Sequence, residues 1–114
     1  MSLTIGIDIV QLSRLKKITK DIQLKKILTV NEMNTYKTLP ANKALSYLGG
    51  RFAAKEAVIK CLANYECPFL TDLEIEADMD GRPQINYKKY VISLSISHEK
   101  EYVVSVAILQ NEAQ

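Results

Sequence analysis

The longest helical pattern in the sequence constrains the fold most. From residue 42 to about residue 63, apolar side chains recur at intervals of three, four or their sum, which is the spacing of one helix face. They are Leu45, Leu48, Phe52, Ile59 and Leu62. A helix of this length needs a broad apolar partner, and a chain of 114 residues has room for a single core. Because each glycine of the pair Gly49-Gly50 costs about 1 kcal/mol relative to alanine, we expect another element to pack closely there.

Extended segments supply that partner. Leu3, Ile5, Ile7 and Ile9 alternate with other residues over residues 3–10, which predicts a strand. Residues 73–79 and 84–87 form one predicted hairpin around the turn Asp80-Gly81, and residues 91–97 and 102–109 form a second around residues 98–101.

Shorter helical signals precede the long helix. Leu15, Ile18 and Ile22 keep helical spacing from about residue 13, and Thr29 with Glu32 forms a capping box that starts a short helix ended by Pro40. We therefore predict one domain over residues 1–114 with an α+β fold, in which a mostly antiparallel sheet packs on a long helix and one or two shorter helices.

Charge is concentrated in one stretch. The net charge of +2 does not by itself demand an anionic partner, but residues 14–26 hold six basic side chains and one acidic side chain, Asp21. The basic residues are Arg14, Lys16, Lys17, Lys20, Lys25 and Lys26. They fit a solvated helix face or a surface that steers an acidic partner. No aromatic residue interrupts them, so we expect no nucleic-acid partner.

Location follows from what the sequence lacks and from its cysteines. No apolar run approaches the roughly 18 residues of a membrane span, and no secretory signal pattern is present. We expect a cytoplasmic protein without membrane contact. Cys61 and Cys67 are six residues apart, which fits neither a zinc pair nor a redox motif, and we interpret them as free thiols.

Two carboxylates lie where burial is expected. Asp8 is in the isoleucine-rich strand, and Glu56 follows Phe52 by four residues in the long helix. Asp8 fits a strand aspartate bonded to nearby amides, and Glu56 fits an ion pair with Lys60 one turn away. Two carboxylates from separate elements are also what a Mg²⁺–phosphate site requires. Spacing alone does not choose between these interpretations.

Three motifs resemble a known family. Gly-Ile-Asp-Ile-Val at residues 6–10 is similar to the N-terminal motif of the bacterial holo-acyl-carrier-protein synthases, which are 4'-phosphopantetheinyl transferases. Residues 50–57 (Gly-Arg-Phe-Ala-Ala-Lys-Glu-Ala) with Lys60 resemble that family's central helix motif. Residues 95–99 (Ser-Ile-Ser-His-Glu) with Tyr102 resemble its C-terminal motif. The order and separation of the three also match, so the resemblance covers nearly the whole chain.

The resemblance implies a reaction. Coenzyme A would supply 4'-phosphopantetheine to a serine hydroxyl of an apo acyl carrier protein, in fatty acid biosynthesis, and adenosine 3',5'-bisphosphate would be released. Asp8 and Glu56 would hold Mg²⁺, and Lys60 would offset charge on the leaving phosphate. Glu56 or His98 would accept the proton of the attacking serine, although the resemblance favours His98 as a phosphate contact.

The resemblance also assigns binding residues. Arg51 would contact a coenzyme A phosphate, and Gly81 and Pro83 would border the adenine, although they also fit an ordinary turn. Arg51 and Lys55 equally fit ordinary helix-surface charges. Arg14 would contact the acidic carrier protein. The family's sites straddle subunits, so a homotrimer is implied.

The chain departs from the family's pattern at two places. Thr4 replaces the first glycine of the N-terminal motif, and residues 61–67 (Cys-Leu-Ala-Asn-Tyr-Glu-Cys) replace a Gly-Thr-Gly turn. Asn64 is the residue there that tolerates positive φ. The alternative function is a catalytically inactive relative that binds carrier protein or coenzyme A.

Overall fold

Two antiparallel sheets form the β part of the fold. In the computed structural model, which describes residues 2–111, β1 (Ser2–Gln11), β5 (Tyr102–Asn111) and β4 (Val91–His98) form a sheet in the order β1-β5-β4. The short strands β2 (Ile75–Ala77) and β3 (Pro83–Ile85) form the second sheet. The predicted strands are confirmed, with β2 and β3 shorter than expected and His98 inside β4 rather than in the turn.

The helices are α1 (Leu12–Leu15), α2 (Asp21–Leu24), α3 (Val30–Thr38) and α4 (Ala41–Leu62), and a single 3₁₀ turn spans Leu70–Asp72. The prediction of one helix from residue 13 through Ile22 was wrong. Lys20 is extended, with φ −81° and ψ 142°, so the chain breaks between α1 and α2. Ile22 consequently leaves the apolar face and is 70% exposed.

The predicted limits of α3 and α4 hold to within one residue. The Thr29 hydroxyl accepts from the Glu32 amide, and the Glu32 carboxylate accepts from the Thr29 amide, which is the predicted capping box. Pro40 is the extended residue before α4. It separates α3 from α4, because its ring cannot continue a helix from the preceding turn.

Helix α4 packs on the inner face of the three-stranded sheet, and its backbone comes closest to β1 at Gly6. A Cβ at Gly6 would collide with the Ala57 carbonyl oxygen and approach the Cys61 amide nitrogen to 2.9 Å. Ala53, Ala54 and Ala57 on this side of α4 are fully buried. The close approach of β1 and α4 therefore depends on glycine and alanine at the contact.

The glycine pair of α4 also permits close contacts, as predicted. A Cβ at Gly49 would lie 3.2 Å from Val103 Cγ2 on β5, and a Cβ at Gly50 would lie 3.0 Å from the His98 Nε2. These contacts fix α4 against β5 and the end of β4.

The outer face of β1 is apolar and exposed. Leu3, Ile5, Ile7 and Ile9 are each between 56% and 64% exposed, while Gly6 and Val10 face α4. The strand register places Val104, Val106 and Ile108 of β5 beside them on the same face. This set of seven residues is called the outer apolar face below.

None of the helices in residues 2–111 is long and apolar enough to cross a membrane.

Candidate active site

Three of the predicted site residues meet between β1 and α4. The Lys60 ammonium donates to the Asp8 carboxylate at 3.2 Å and to the Ile7 carbonyl at 2.8 Å. Asp8 is on the inner face of β1, and its side chain is only 17% exposed. Glu56 lies one turn before Lys60 on α4 and is partly buried. Lys60 thus pairs with Asp8 across two elements, and the local Glu56–Lys60 ion pair considered from the sequence is not formed.

The two carboxylates are close enough for the charge of Asp8 to act on Glu56. Burial raises the pKa of Glu56, the negative charge of Asp8 raises it further, and the Lys60 ammonium partly offsets both effects. A cation placed beside both carboxylates would remove the repulsion that Asp8 exerts on Glu56. Asp8 makes this interaction from β1, so it is not a strand aspartate capped by backbone amides.

The donor set fits Mg²⁺ better than it fits a metal held by protein ligands alone. Residues 2–111 contain no group of three or more His, Cys, Asp or Glu side chains arranged to hold a metal. Mg²⁺ is commonly bound by one or two carboxylates, with water and substrate phosphates as the other ligands. Asp8 and Glu56 therefore suit a Mg²⁺ ion that arrives with a phosphate ligand, and Lys60 adds a positive charge beside it.

His98 lies apart from these three residues. It is the last residue of β4, exposed at the surface, and its imidazole packs over Gly50. Asp8 is two strands away across β5, about 10 Å at the usual strand spacing of about 4.8 Å. Gly50 is six residues before Glu56, about 9 Å along the helix. Within one copy of the chain, His98 thus lies beside the Gly50 part of α4 rather than beside the part that carries Glu56 and Lys60.

Arg51 also points away from Asp8 and Glu56. Its guanidinium lies 4.2 Å from the centre of the Tyr47 ring, and its Nη2 donates to the Ile75 carbonyl of β2 at 3.3 Å. Helix geometry separates Arg51 from Glu56 by about 140° around α4. A surface cavity of ≈ 350 Å³ lies beside Arg51, between α3, α4 and β2. The buried Nε of Arg51 has no hydrogen-bond partner, so this guanidinium retains donor capacity.

Gly81 and Pro83 lie on the hairpin that Arg51 contacts. Gly81 has φ +81° in the turn, its amide donates to the Asp78 carbonyl at 3.0 Å, and Pro83 begins β3. A Cβ at Gly81 would meet no atom within 4 Å, so the glycine serves the turn conformation rather than a close contact. The predicted nucleotide residues and the predicted metal residues thus occupy two different flanks of α4.

Arg14 and the other basic residues of the stretch from 14 to 26 are all exposed. Asp21, the one acidic residue among them, is paired with Lys37 of α3 at 3.0 Å. The stretch therefore presents an excess of positive charge at the end of β1, on and between α1 and α2.

A buried ion pair was missed by the sequence analysis. Lys55 is fully buried and donates to the Glu32 carboxylate and to the Ile27 carbonyl. Glu32 also accepts from the Ile75 amide at 2.8 Å. Lys55 is therefore neither a surface charge nor a coenzyme A contact in this fold. Burial lowers the pKa of Lys55, and Glu32 opposes that shift. Lys55 stands among the alanines of α4 that are buried, and this position could have indicated that the lysine is buried and needs an acidic partner.

The segment after α4 is held by side chains rather than by special backbone geometry. Lys88, with φ 51°, is the only non-glycine residue at positive φ in residues 2–111, so Asn64 does not replace a glycine conformation as expected. The Tyr65 and Glu66 amides both donate to the Leu62 carbonyl, which prolongs the helical path. The Glu66 carboxylate accepts from Lys88 and Tyr87 at 2.7 Å each and from Tyr90 at 2.8 Å.

Comparison with known proteins decides the family. A sequence profile of the 4'-phosphopantetheinyl transferase superfamily matches residues 4–107. The chain belongs to this superfamily. A holo-[acyl-carrier-protein] synthase of Bacillus cereus strain G9842 is 40% identical, with 100% of each chain covered.

Solved structures of the superfamily agree. A crystal structure of a holo-(acyl-carrier-protein) synthase from Bacillus anthracis str. Ames, in complex with coenzyme A (3',5'-ADP), is 35% identical, covers 96% of each chain and superposes with a TM-score of 0.87. The enzyme from Neisseria meningitidis is 29% identical, with a TM-score of 0.81 over 95% of this chain and 98% of that one. The resemblance drawn from three motifs is thereby confirmed.

Proposed function

We propose that this protein is a holo-acyl-carrier-protein synthase, a single transferase domain over residues 1–114. It transfers 4'-phosphopantetheine from coenzyme A to a serine hydroxyl of apo acyl carrier protein in a Mg²⁺-dependent reaction, and releases adenosine 3',5'-bisphosphate. The observation that carries the proposal is the convergence of Asp8, Glu56 and Lys60 between β1 and α4. Family membership supplies the type of reaction.

The residues divide the work of phosphoryl-type transfer between them. Such transfer needs mainly positioning and neutralisation of charge. Asp8 and Glu56 would hold Mg²⁺, which when bound polarises the phosphate oxygens. Lys60, whose side chain is 55% exposed, can turn from Asp8 to the leaving phosphate. Within one copy of the chain, Glu56 is nearer than His98 to the pair of Asp8 and Lys60, and it is the candidate proton acceptor for the serine hydroxyl.

The nucleotide end of coenzyme A would use the other flank of α4. Arg51 lines a surface cavity and carries the positive charge that a phosphate requires, and the hairpin with Gly81 and Pro83 lies alongside. His98 would also contact phosphate. Arg51 and Glu56 lie about 140° apart around α4, so in one copy of the chain the two flanks face different directions.

A homotrimer would resolve this separation. The outer apolar face exposes a row of large aliphatic side chains of a kind that soluble monomers rarely leave uncovered. Association of copies through this face would cover it. The resemblance to the family implies that the sites are then shared between neighbouring copies. We propose a trimer with shared sites on these grounds.

The basic stretch gives the carrier protein a docking surface. Arg14 and its exposed neighbours would attract an acidic carrier and orient it, which raises the association rate more than the final affinity. Cys61 and Cys67 are both free thiols, which is consistent with a protein that functions in the reducing cytoplasm.

Intact-mass measurement tests the function. Purified protein, coenzyme A and an apo carrier should give the mass increase of one phosphopantetheine with Mg²⁺, and none with EDTA. Asp8→Ala and Glu56→Ala should abolish the increase while circular dichroism stays unchanged. Glu101→Ala, which removes an exposed carboxylate from the β4–β5 turn, is the matched control and should keep activity.

The inactive alternative has its own outcome in the same experiment. If calorimetry detected binding of coenzyme A or carrier but no carrier gained mass, the chain would be a binding protein. Activity that survived both Asp8→Ala and Glu56→Ala would overturn the assignment of the site.

A further inference from the structure

The two departures from the family's motifs are joined to each other in the structure. The Tyr65 hydroxyl donates to the Asn111 side-chain oxygen at 2.8 Å. The Asn111 side-chain nitrogen, Nδ2, donates to the Thr4 hydroxyl, also at 2.8 Å. Thr4 is the residue in place of the first glycine of the N-terminal motif, and Tyr65 is in the segment that replaces the glycine turn. The hydrogen bonds therefore connect the segment after α4 to the end of β5 and the start of β1.

The next residue fastens the same segment to a different part of the fold. The Glu66 carboxylate accepts three hydrogen bonds, from Tyr87, Lys88 and Tyr90, all in the connection between β3 and β4. Lys88 supplies its ammonium from a backbone at φ 51°, a conformation that is unfavourable for lysine. We call these five hydrogen bonds the α4 clamp: Tyr65–Asn111, Asn111–Thr4 and the three bonds to Glu66.

The α4 clamp begins where the candidate site ends. The Tyr65 and Glu66 amides both bond to the Leu62 carbonyl, two residues after Lys60. Lys60 bonds Ile7 and Asp8 on β1, and Thr4 lies on the same inner face of that strand as Asp8. The last turn of α4 is thus attached to β1 on both sides of the Gly6 contact.

We propose that Tyr65 and Glu66 are positioning residues. Tyr65 ties the segment after α4 to β1 through Asn111 and Thr4, and Glu66 ties it to the connection between β3 and β4, so that Glu56 and Lys60 stay aligned with Asp8 for metal and phosphate. The inference rests on the proposed function. In this chain, side-chain hydrogen bonds do the work of fixing the segment after the central helix.

The test measures how activity depends on Mg²⁺. Tyr65→Phe and Thr4→Val should each raise the Mg²⁺ concentration for half-maximal transfer by about two- to tenfold, the effect of losing one hydrogen bond. Thr4→Ser keeps the hydroxyl and should behave as the unaltered protein. The KM for the carrier should not change, because Arg14 lies at the other end of β1. Tyr36→Phe, a partly buried tyrosine outside the clamp, is the control for loss of a phenolic hydroxyl.

A second readout does not need turnover. Mn²⁺ binding in the presence of coenzyme A, followed by electron paramagnetic resonance, should weaken by a similar factor in Tyr65→Phe and Glu66→Gln. If Glu66→Gln does not fold, Tyr87→Phe removes a single donor to Glu66 and takes its place.

The outcomes separate the positioning role from the function. Lower melting temperatures with unchanged Mg²⁺ dependence and Mn²⁺ affinity would overturn the positioning role and leave the transferase intact. Weaker Mn²⁺ binding in the variants of a protein that modifies no carrier would support the clamp and overturn the proposed function. An increase in the KM for the carrier that parallels the Mg²⁺ effect would also overturn the positioning role, because it would indicate general damage to the fold.

Discussion

At the scale of single residues, the site depends on a contact between side chains of two different elements, β1 and α4. Lys60 pairs with Asp8 on β1, although Glu56 is available one turn away on its own helix. The sequence identified all three side chains, because the motifs carry them. It did not indicate that the lysine bridges α4 and β1, since helical spacing predicts contacts within a helix only.

Gly6 offers a test of the contact that brings these residues together. Gly6→Ala should destabilise the fold by about 3 kcal/mol or more, because the new methyl group meets the rigid Ala57 carbonyl. Denaturant unfolding measures the loss. Gly81→Ala is a useful contrast, since open space surrounds it and only its positive φ penalises the change. Equal stability of Gly6→Ala and the unaltered chain would contradict the described packing.

At the scale of elements, the long helix and the hairpins followed from periodicity, whereas the short pieces did not. The pattern from residue 42 to 63 gave α4 to within one residue at each end. The stretch from Ser13 to Ile22 kept helical spacing, yet it forms two single-turn helices separated by extended backbone. Short helices are marginal without tertiary support, so spacing over ten residues did not determine their limits.

The Lys55–Glu32 pair joins α3, α4 and β2, and its removal should be costly. Lys55→Met leaves a buried carboxylate with amide partners alone, which should lower the free energy of unfolding by about 3–5 kcal/mol. The double variant Lys55→Met/Glu32→Gln should recover part of that loss. Denaturant titration of Lys55→Met, Glu32→Gln and the double variant measures the loss of unfolding free energy in each. A loss in the double variant larger than the sum of the two single losses would contradict the pairing.

Glu66 gives the segment after α4 a pH dependence. Its hydrogen bonds from Lys88, Tyr87 and Tyr90 lower its pKa from 4.5 to about 2. A depressed carboxyl pKa stabilises the folded state above the unfolded pKa, and this contribution disappears as pH falls from 4.5 towards 2. The advantage in melting temperature over Glu66→Gln should therefore be constant at neutral pH and shrink across that interval. An advantage that persisted at pH 2 would contradict the assignment.

At the scale of the whole molecule, the sequence did not predict which face of β1 is buried. Alternating isoleucines predicted a strand, and the strand is present. Alternation does not say which face is inward, and here the aliphatic row is outside while Gly6, Asp8 and Val10 face α4. Gly6 is inward because only glycine lets the helix approach the strand so closely at that point. The family and the α+β fold were predictable because the three motifs are spread over β1, α4 and β4.

Self-association can be tested on this face. Ile7→Lys should convert the proposed trimer to monomers and should abolish transfer, since a charge on the outer apolar face opposes burial. Light scattering after size exclusion measures the mass. Val30→Lys is the control, because Val30 is 78% exposed on α3, away from that face. Trimers that persisted in Ile7→Lys would contradict the location of the interface.

The trimer proposed through the aliphatic row of β1 has a consequence for how the enzyme responds to dilution. A catalyst that is complete only as an assembly loses specific activity when its own concentration falls below the dissociation constant of that assembly. Assays at decreasing enzyme concentration would then show curvature, with a lag when a diluted stock is returned to working strength. The amount of this protein in a cell would thus govern both the number of catalysts and the fraction of them that function.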